Sequence, residues 1–173
     1  MRLVKVAGAQ MGPIQKAEER QDVVGRMIAL MDEANGAGAD FIVYPELSLT
    51  TFFPRYYMED QSEVDTWFEA EMPNAVTRPL FERASEYEMA MTFGYAELTP
   101  DSHHFNSSVH VDGTGEIVGK YRKVHLPGHD EFDTERDFQH LEKRYFEPGD
   151  MGFPVYHTLG GVFGMCICND RRW

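Results

Sequence analysis

Long apolar runs are missing from this 173-residue chain, and cysteine is scarce. No stretch approaches the roughly 18 apolar residues that a membrane-spanning helix needs, so no membrane partner is expected. The start, Met1-Arg2-Leu3-Val4-Lys5-Val6, has too short an apolar segment and no small-residue cleavage site for a secretory signal. It reads as a first strand. The two cysteines, Cys166 and Cys168, stand two residues apart, where a disulfide would be strained. A reduced, cytoplasmic setting fits them better. Positive charge is also in short supply: 16 Lys and Arg stand against 29 Asp and Glu, for a formal net charge of -13. Such a surface repels phosphate backbones, which argues against nucleic acid as a partner. Metal-ligand spacing is lacking too. His125 and His129 are four apart, but Pro127 and Gly128 between them keep one helix face from presenting both imidazoles. A Cys-x-Cys pair is off the usual spacing of zinc ligands. The glycine-rich stretches do not form a phosphate-cradling loop. Neither a metal nor a cofactor is expected.

What remains is enough for a core: 42% of the residues are hydrophobic, in a chain of one domain's length. Leu3 to Ala9 reads as a buried strand. Ala17 to Asn35 places Val23, Val24, Met27, Ile28, Met31 and Ala34 at helical spacing on one face, and Gly36 and Gly38 supply a stop. Asp40 to Tyr44 is a second buried strand, ended by Pro45. A strand, a helix and a strand in this order predict a βαβ start and an α/β fold. Ala75 to Glu88 reads as a helix with Val76, Leu80, Phe81 and Ala84 inward. Three strands follow, over Met89–Leu98, Phe105–Val111 and Ile117–Val124, the last two joined by the turn Asp112-Gly113-Thr114-Gly115. Residues 127 to 150 are polar loop with one helical turn near His140 to Tyr145. Phe153–Leu159 and Val162–Cys168 are the last strands. Trp173 then ends the chain with no helix to cover them, and the chain is expected to be a fragment.

Three positions invite chemistry. Glu46 follows a buried strand in Tyr44-Pro45-Glu46-Leu47, and strand C-termini are where α/β folds place their sites. Lys123 lies in Lys120-Tyr121-Arg122-Lys123-Val124-His125. Alternation puts it on the face opposite Arg122 and Val124, so one of these cations points inward, and an inward lysine needs either a carboxylate partner or a functional role. Cys168 comes at the end of an apolar strand and before Asn169-Asp170-Arg171-Arg172. Two guanidinium groups and a turn's N–H groups favour the thiolate. Cys166, within the strand, reads as a buried structural cysteine.

In this order, Pro45-Glu46, then Tyr121-Arg122-Lys123-Val124-His125-Leu126, then Cys168, the chain resembles the Glu-Lys-Cys pattern of the nitrilase superfamily. Several longer matches are similar to its N-carbamoyl-D-amino acid amidohydrolase branch. They are Thr50-Thr51-Phe52-Phe53-Pro54-Arg55, His125-Leu126-Pro127-Gly128-His129, the run from Phe138 to Asp150, and Cys168-Asn169-Asp170-Arg171-Arg172-Trp173. The absence of Trp-Glu after the cysteine argues against a nitrile substrate. The resemblance implies an αββα sandwich, here incomplete because the C-terminal half is absent. Residues 1–173 would form a partial carbon-nitrogen hydrolase domain truncated after the nucleophile motif.

The activity so implied is hydrolysis of N-carbamoyl-D-amino acids to the D-amino acid, ammonia and carbon dioxide through a carbamoyl-cysteine thioester. Cys168 would be the nucleophile and Glu46 the general base. Lys123 would stabilise the oxyanion with the Asn169 N–H. Glu142 enters only through the resemblance, as a second acid that orients Lys123. One of Arg171 and Arg172, Arg171 ahead of Arg172, would bind the substrate carboxylate, since guanidinium matches carboxylate bidentately. Asn169 and His140 would add hydrogen bonds. The aromatic loop from Phe52 to Tyr57 would wall the side-chain pocket or pack at an interface. A homo-oligomer is expected for the complete protein. The alternatives are another amidase or ureidopropionase on the same scaffold, or a truncated chain that is inactive alone.

Overall fold

The computed structural model describes residues 3–172; Met1 and Arg2 of the predicted first strand, and Trp173 of the last motif, lie outside them. Five strands form one sheet in sequential order: β1 (Val6–Gly8), β2 (Phe41–Val43), β3 (Ala90–Leu98), β4 (His104–Val111) and β5 (Ile117–Arg122). β1, β2 and β3 are parallel, while β3, β4 and β5 are antiparallel. β1 and β2 are joined by helix α1 (Arg20–Gly36), the βαβ start that the alternating pattern predicts. Short helix α2 (Gln61–Asp65) and α3 (Arg78–Glu86) precede β3; α4 (Glu142–Tyr145) precedes a two-stranded hairpin, β6 (Val155–Thr158) and β7 (Gly161–Gly164). Among the described residues no helix is long and apolar enough to cross a membrane.

The main core lies between the sheet and the α1–α3 layer. Val23, Val24, Met27, Met31 and Ala34 of α1 and Leu80, Phe81 and Ala84 of α3 meet Ile42, Met91, Phe93 and Tyr95. These are the inward positions that helical and strand spacing predict. A second cluster gathers Leu47, Phe53, Phe68, Leu141, Tyr145 and Phe146 beside the loop after β2. Phe53 sits at its centre, stacked on Trp67 and edge-on to Phe68. Phe53 therefore packs within the chain, while Phe52 borders a cavity beside Glu46 and Tyr57 is exposed.

Several sequence expectations need correction. The first strand is not buried: β1 is a sheet edge, its Ala7 packs on the core, and Val6 is 55% exposed. The helix expected from Ala75 starts at Arg78, and Val76 is exposed. Asn74 Oδ1 accepts from the N–H groups of Val76 and Thr77, an Asx turn that competes with helix, and Pro79 stands at the start of the helix, where it is tolerated. The final strand stops at Gly164 rather than Cys168. Gly164 pairs with Val155, and the next partner would be Pro154, which has no N–H to continue a ladder. Residues Cys168–Arg172 instead make a 3-10 turn. Cys166 lies past the hairpin and is exposed, not buried.

Candidate functional site

Lys123 follows the last residue of β5, and its N–H donates to Asn106 O at 2.8 Å, so the β4–β5 pairing continues one step. Its side chain has no solvent exposure. The ammonium lies 2.6 Å from Glu46 Oε1 and 2.6 Å from Glu142 Oε2. Burial acts to discharge Lys123, but the two carboxylates outweigh it and raise its pKa above the ordinary lysine value.

Glu46 is carried to this point by a tight turn. Leu47 adopts φ 48, and the turn lies against β3 so closely that a Cβ on Gly94 would stand 2.8 Å from Leu47 N and 2.9 Å from Glu46 Cα. Only glycine permits that approach. Ser48 N donates to Gly94 O at 2.8 Å. Asn106 Nδ2 donates to Glu46 Oε1 at 2.7 Å. Asn106 is fully buried, and its Oδ1 meets no donor among the described residues. Sequence reasoning missed Asn106; the signal was Asn106-Ser107-Ser108, a polar run inside a strand that is buried from Phe105 onward.

Glu142 opens α4 and is buried, with His140 Nε2 3.0 Å from its Oε1. A close approach also holds this segment: a Cβ on Gly128 would meet His140 O at 2.1 Å, and His129 N donates to the same oxygen at 2.9 Å. His125-Leu126-Pro127-Gly128-His129 thus braces the segment that carries Glu142. His140 also meets the ring of Phe52 edge-on.

Cys168 is an exposed residue with φ 46, a left-handed conformation costly for a side chain with a Cβ. Its thiol pKa is raised, first by burial of the thiol itself, then by the charge of Glu46; Lys123 pulls the other way and Glu142 adds to the rise. Glu46 is near enough for its charge to act on this thiol. The resting group is therefore a thiol, not the thiolate expected from Arg171 and Arg172. Both arginines are exposed and make no ion pair with a described residue, so water screens them, while Glu46 is at hand.

Among the other predicted residues, Asn169 Nδ2 donates to His125 O at 3.3 Å, which ties the Cys168 turn to the segment after Lys123. Arg171 and Arg172 stand at the open end of the same turn. The structure thus brings Glu46, Lys123, Glu142 and Cys168 to one place and leaves the two arginines facing no partner within the described chain. A cavity of about 260 Å³ borders Glu46, lined by Met11, Pro13, Thr50, Thr51, Phe52 and Arg55. A larger one of about 720 Å³ lies away from this chemistry, between α3 and the β4–β5 turn.

Residues 5–173 match the family model described as carbon-nitrogen hydrolase. The chain is 33% identical to a nitrilase from Pyrococcus abyssi over 97% of its own length and 56% of the relative. It is 29% identical to an N-carbamoylputrescine amidase from Oryza sativa subsp. japonica, over 97% of this chain and 51% of that one. Its fold superimposes on a carbon-nitrogen hydrolase from Helicobacter pylori G27 with a TM-score of 0.78, at 22% identity, covering 98% of this chain and 53% of the other. The chain thus spans about half the length of these relatives.

Proposed function

Because this chain belongs to the carbon-nitrogen hydrolase family, we propose that its site serves hydrolysis of N-carbamoyl-D-amino acids, in a protein that includes the rest of the family's length. One observation carries the reading: a fully buried lysine clamped between two carboxylates whose charges also act on a nearby thiol. An inward ammonium costs several kcal/mol to bury unless paired, and this one is paired on two sides.

A ureido carbonyl is a poor electrophile, since two nitrogens donate into it, so a nucleophile stronger than water is needed. Cys168 Sγ bonds to the carbonyl carbon as Glu46 takes the thiol proton. The Lys123 ammonium and the Asn169 N–H stabilise the oxyanion; one such donor is typically worth about 100- to 1000-fold in rate. Collapse breaks the bond to the terminal nitrogen, which leaves as ammonia with the proton held by Glu46. The product on Cys168 is a thioester of the N-carboxylated amino acid. Water, deprotonated by Glu46, displaces the sulfur, and the released carbamic acid loses carbon dioxide to give the amino acid. Glu142 keeps Lys123 charged and oriented through the cycle.

The carboxylate of the substrate falls to Arg171, with Arg172 beside it and Asn169 and His140 as further hydrogen-bonding groups. Two exposed guanidinium groups close to the nucleophile, without an ion pair among the described residues and in a chain of net charge -13, favour an anionic substrate over one with a cationic end. The relative named N-carbamoylputrescine amidase favours the carbamoyl half of this reading.

The test joins residues 1–173 to the remaining half of the Pyrococcus abyssi relative. Ammonia release is then measured from N-carbamoyl-D-phenylglycine, N-carbamoylputrescine and a simple nitrile. Preference for the first is expected, with Arg171→Ala reducing kcat/KM on it about 10- to 150-fold, the equivalent of losing a charge-assisted hydrogen bond of about 1.5–3 kcal/mol. Equal loss on the matching uncharged amide would make Arg171 structural, and preference for N-carbamoylputrescine would overturn the substrate class.

A further inference from the structure

A second buried acid, outside the Glu46–Lys123–Glu142 triad, lies two residues beyond Cys168. The Asp170 side chain has no solvent exposure. Its carboxylate takes four hydrogen bonds. Oδ2 accepts from Tyr121 Oη at 2.7 Å and from Ile167 N at 3.1 Å. Oδ1 accepts from His125 N at 2.8 Å and lies 2.9 Å from His125 Nδ1. Burial acts to protonate the group, but these partners outweigh it and hold its pKa below the ordinary aspartate value.

The partners fall in a pattern. Tyr121 is on β5, two residues before Lys123, and is itself fully buried. His125 is two residues after Lys123. Ile167 immediately precedes Cys168, and Asp170 N returns a bond to Ile167 O at 3.1 Å. One carboxylate therefore closes the turn around Cys168 and, with the same two oxygens, grips the chain on both sides of Lys123. Each oxygen serves two donors, so an amide in its place would face donors with a donor. The turn needs such a grip, because Cys168 holds a positive φ that a residue with a Cβ does not adopt unaided.

We propose that Asp170 is a positioning residue that sets the Cys168 thiol against Glu46 and Lys123 by binding the nucleophile's turn to both flanks of the lysine. The proposal rests on the reading of Cys168 as the nucleophile. It does not act on substrate; it acts through the placement of the thiol. Tyr121 and His125 are the anchor points, and their spacing about Lys123 is what registers the two segments.

The test reads the thiol directly. The chain is alkylated with iodoacetamide across a pH series, and Cys168 and Cys166 are quantified separately by peptide mapping. Cys166, exposed and two residues away, is the internal reference. In the unsubstituted chain, Cys168 is expected to react with a midpoint above that of an ordinary thiol. In Asp170→Asn the Cys168 midpoint falls toward about 8.5, the value of a thiol with no special neighbours, while Cys166 does not move. Tyr121→Phe, which removes one of the four bonds and keeps the ring, shifts Cys168 in the same direction by less, and it carries the test if Asp170→Asn fails to fold. Leu80→Ala, which opens a cavity in the main core at α3, serves as the control for general loosening. Variants of Asp170 and Tyr121 that melt cooperatively with an unmoved Cys168 profile overturn the proposal. So does a Cys168 shift in Leu80→Ala as large as that in Asp170→Asn. Glu46→Gln separates this inference from the proposed function. A Cys168 profile that answers to Asp170→Asn but not to Glu46→Gln supports the clamp and counts against the catalytic pairing of Cys168 with Glu46.

Discussion

A lysine with no exposure stays charged in this protein because two carboxylate oxygens reach it at 2.6 Å each. Removing the cation leaves Glu46 and Glu142 facing each other across the space it filled. Breaking a buried pair from one side costs about 3–5 kcal/mol, since the remaining charge is uncompensated. Lys123→Met is therefore expected to lower the unfolding free energy at pH 7 by that amount in denaturant melts, despite the better hydrophobicity of methionine. A loss below about 1 kcal/mol would show that the triad is solvated. The sign of the pH dependence follows from the raised lysine pKa. The stability this group contributes is complete below its unfolded pKa, and it is lost as pH rises through the higher folded value. The titration of Lys123 itself thus has no part in acid unfolding.

At the level of elements, the position of Glu46 depends on how near the turn after β2 can come to β3. Gly94 is the contact point, and the atoms its missing Cβ would strike are backbone atoms of Glu46 and Leu47, which have no side-chain freedom to give way. Gly94→Ala is expected to cost about 1–3 kcal/mol as overpacking and to displace Glu46 from Lys123. Gly25, inside α1, provides the contrast. A Cβ there meets nothing within 4 Å, and alanine is the better helix former, so Gly25→Ala is expected to stabilise by about 0.5–1 kcal/mol. Thermal melts of the two variants read both signs. Destabilisation by Gly25→Ala, or none by Gly94→Ala, would contradict the packing described for these elements.

For the molecule as a whole, acid stability is tied to Glu97, a buried carboxylate on β3. It accepts from Ser107 of β4 and from Lys120 and Arg122 of β5, and Arg122 reaches on to Asp150. Burial alone would raise the pKa of Glu97, but the bonds from Arg122, Lys120 and Ser107 bring it down to about 2 from 4.5. As pH falls, the unfolded chain takes up this proton first. The contribution of Glu97 is therefore complete above about pH 4.5 and disappears as pH approaches 2, and over that window it amounts to about 3 kcal/mol. Glu97→Gln should be markedly less stable than the unsubstituted chain at pH 7 and nearly equal to it at pH 2.5. A difference between the two that does not narrow on acidification would mean that another group governs the acid limb.

Local pattern was sufficient for much of this protein. Residue periodicity located α1, β3, β4 and β5 to within a few residues, because amphipathic spacing is a property of consecutive side chains. It also placed one inward cation among Lys120, Arg122 and Lys123, since strand alternation is equally local. Element ends were less legible. The start of α3 turned on the Asn74 side chain, and the end of β7 on the lack of an N–H in Pro154, so both depended on single hydrogen-bonding groups rather than on pattern. The state of Cys168 was beyond sequence reasoning. Arg171 and Arg172 follow it closely in the chain and would favour a thiolate, but charge interactions fall off with distance in space, and Glu46, 122 positions away in the chain, lies near enough for its charge to raise the thiol's pKa. Asp170 was hidden for the same reason, and Asn106 showed only as part of a polar run whose burial the sequence does not give. Nothing in a linear run of residues distinguishes a buried polar group that joins distant segments from one that faces water. Only the folded chain, by bringing β4, β5 and the Cys168 turn together, decides which it is.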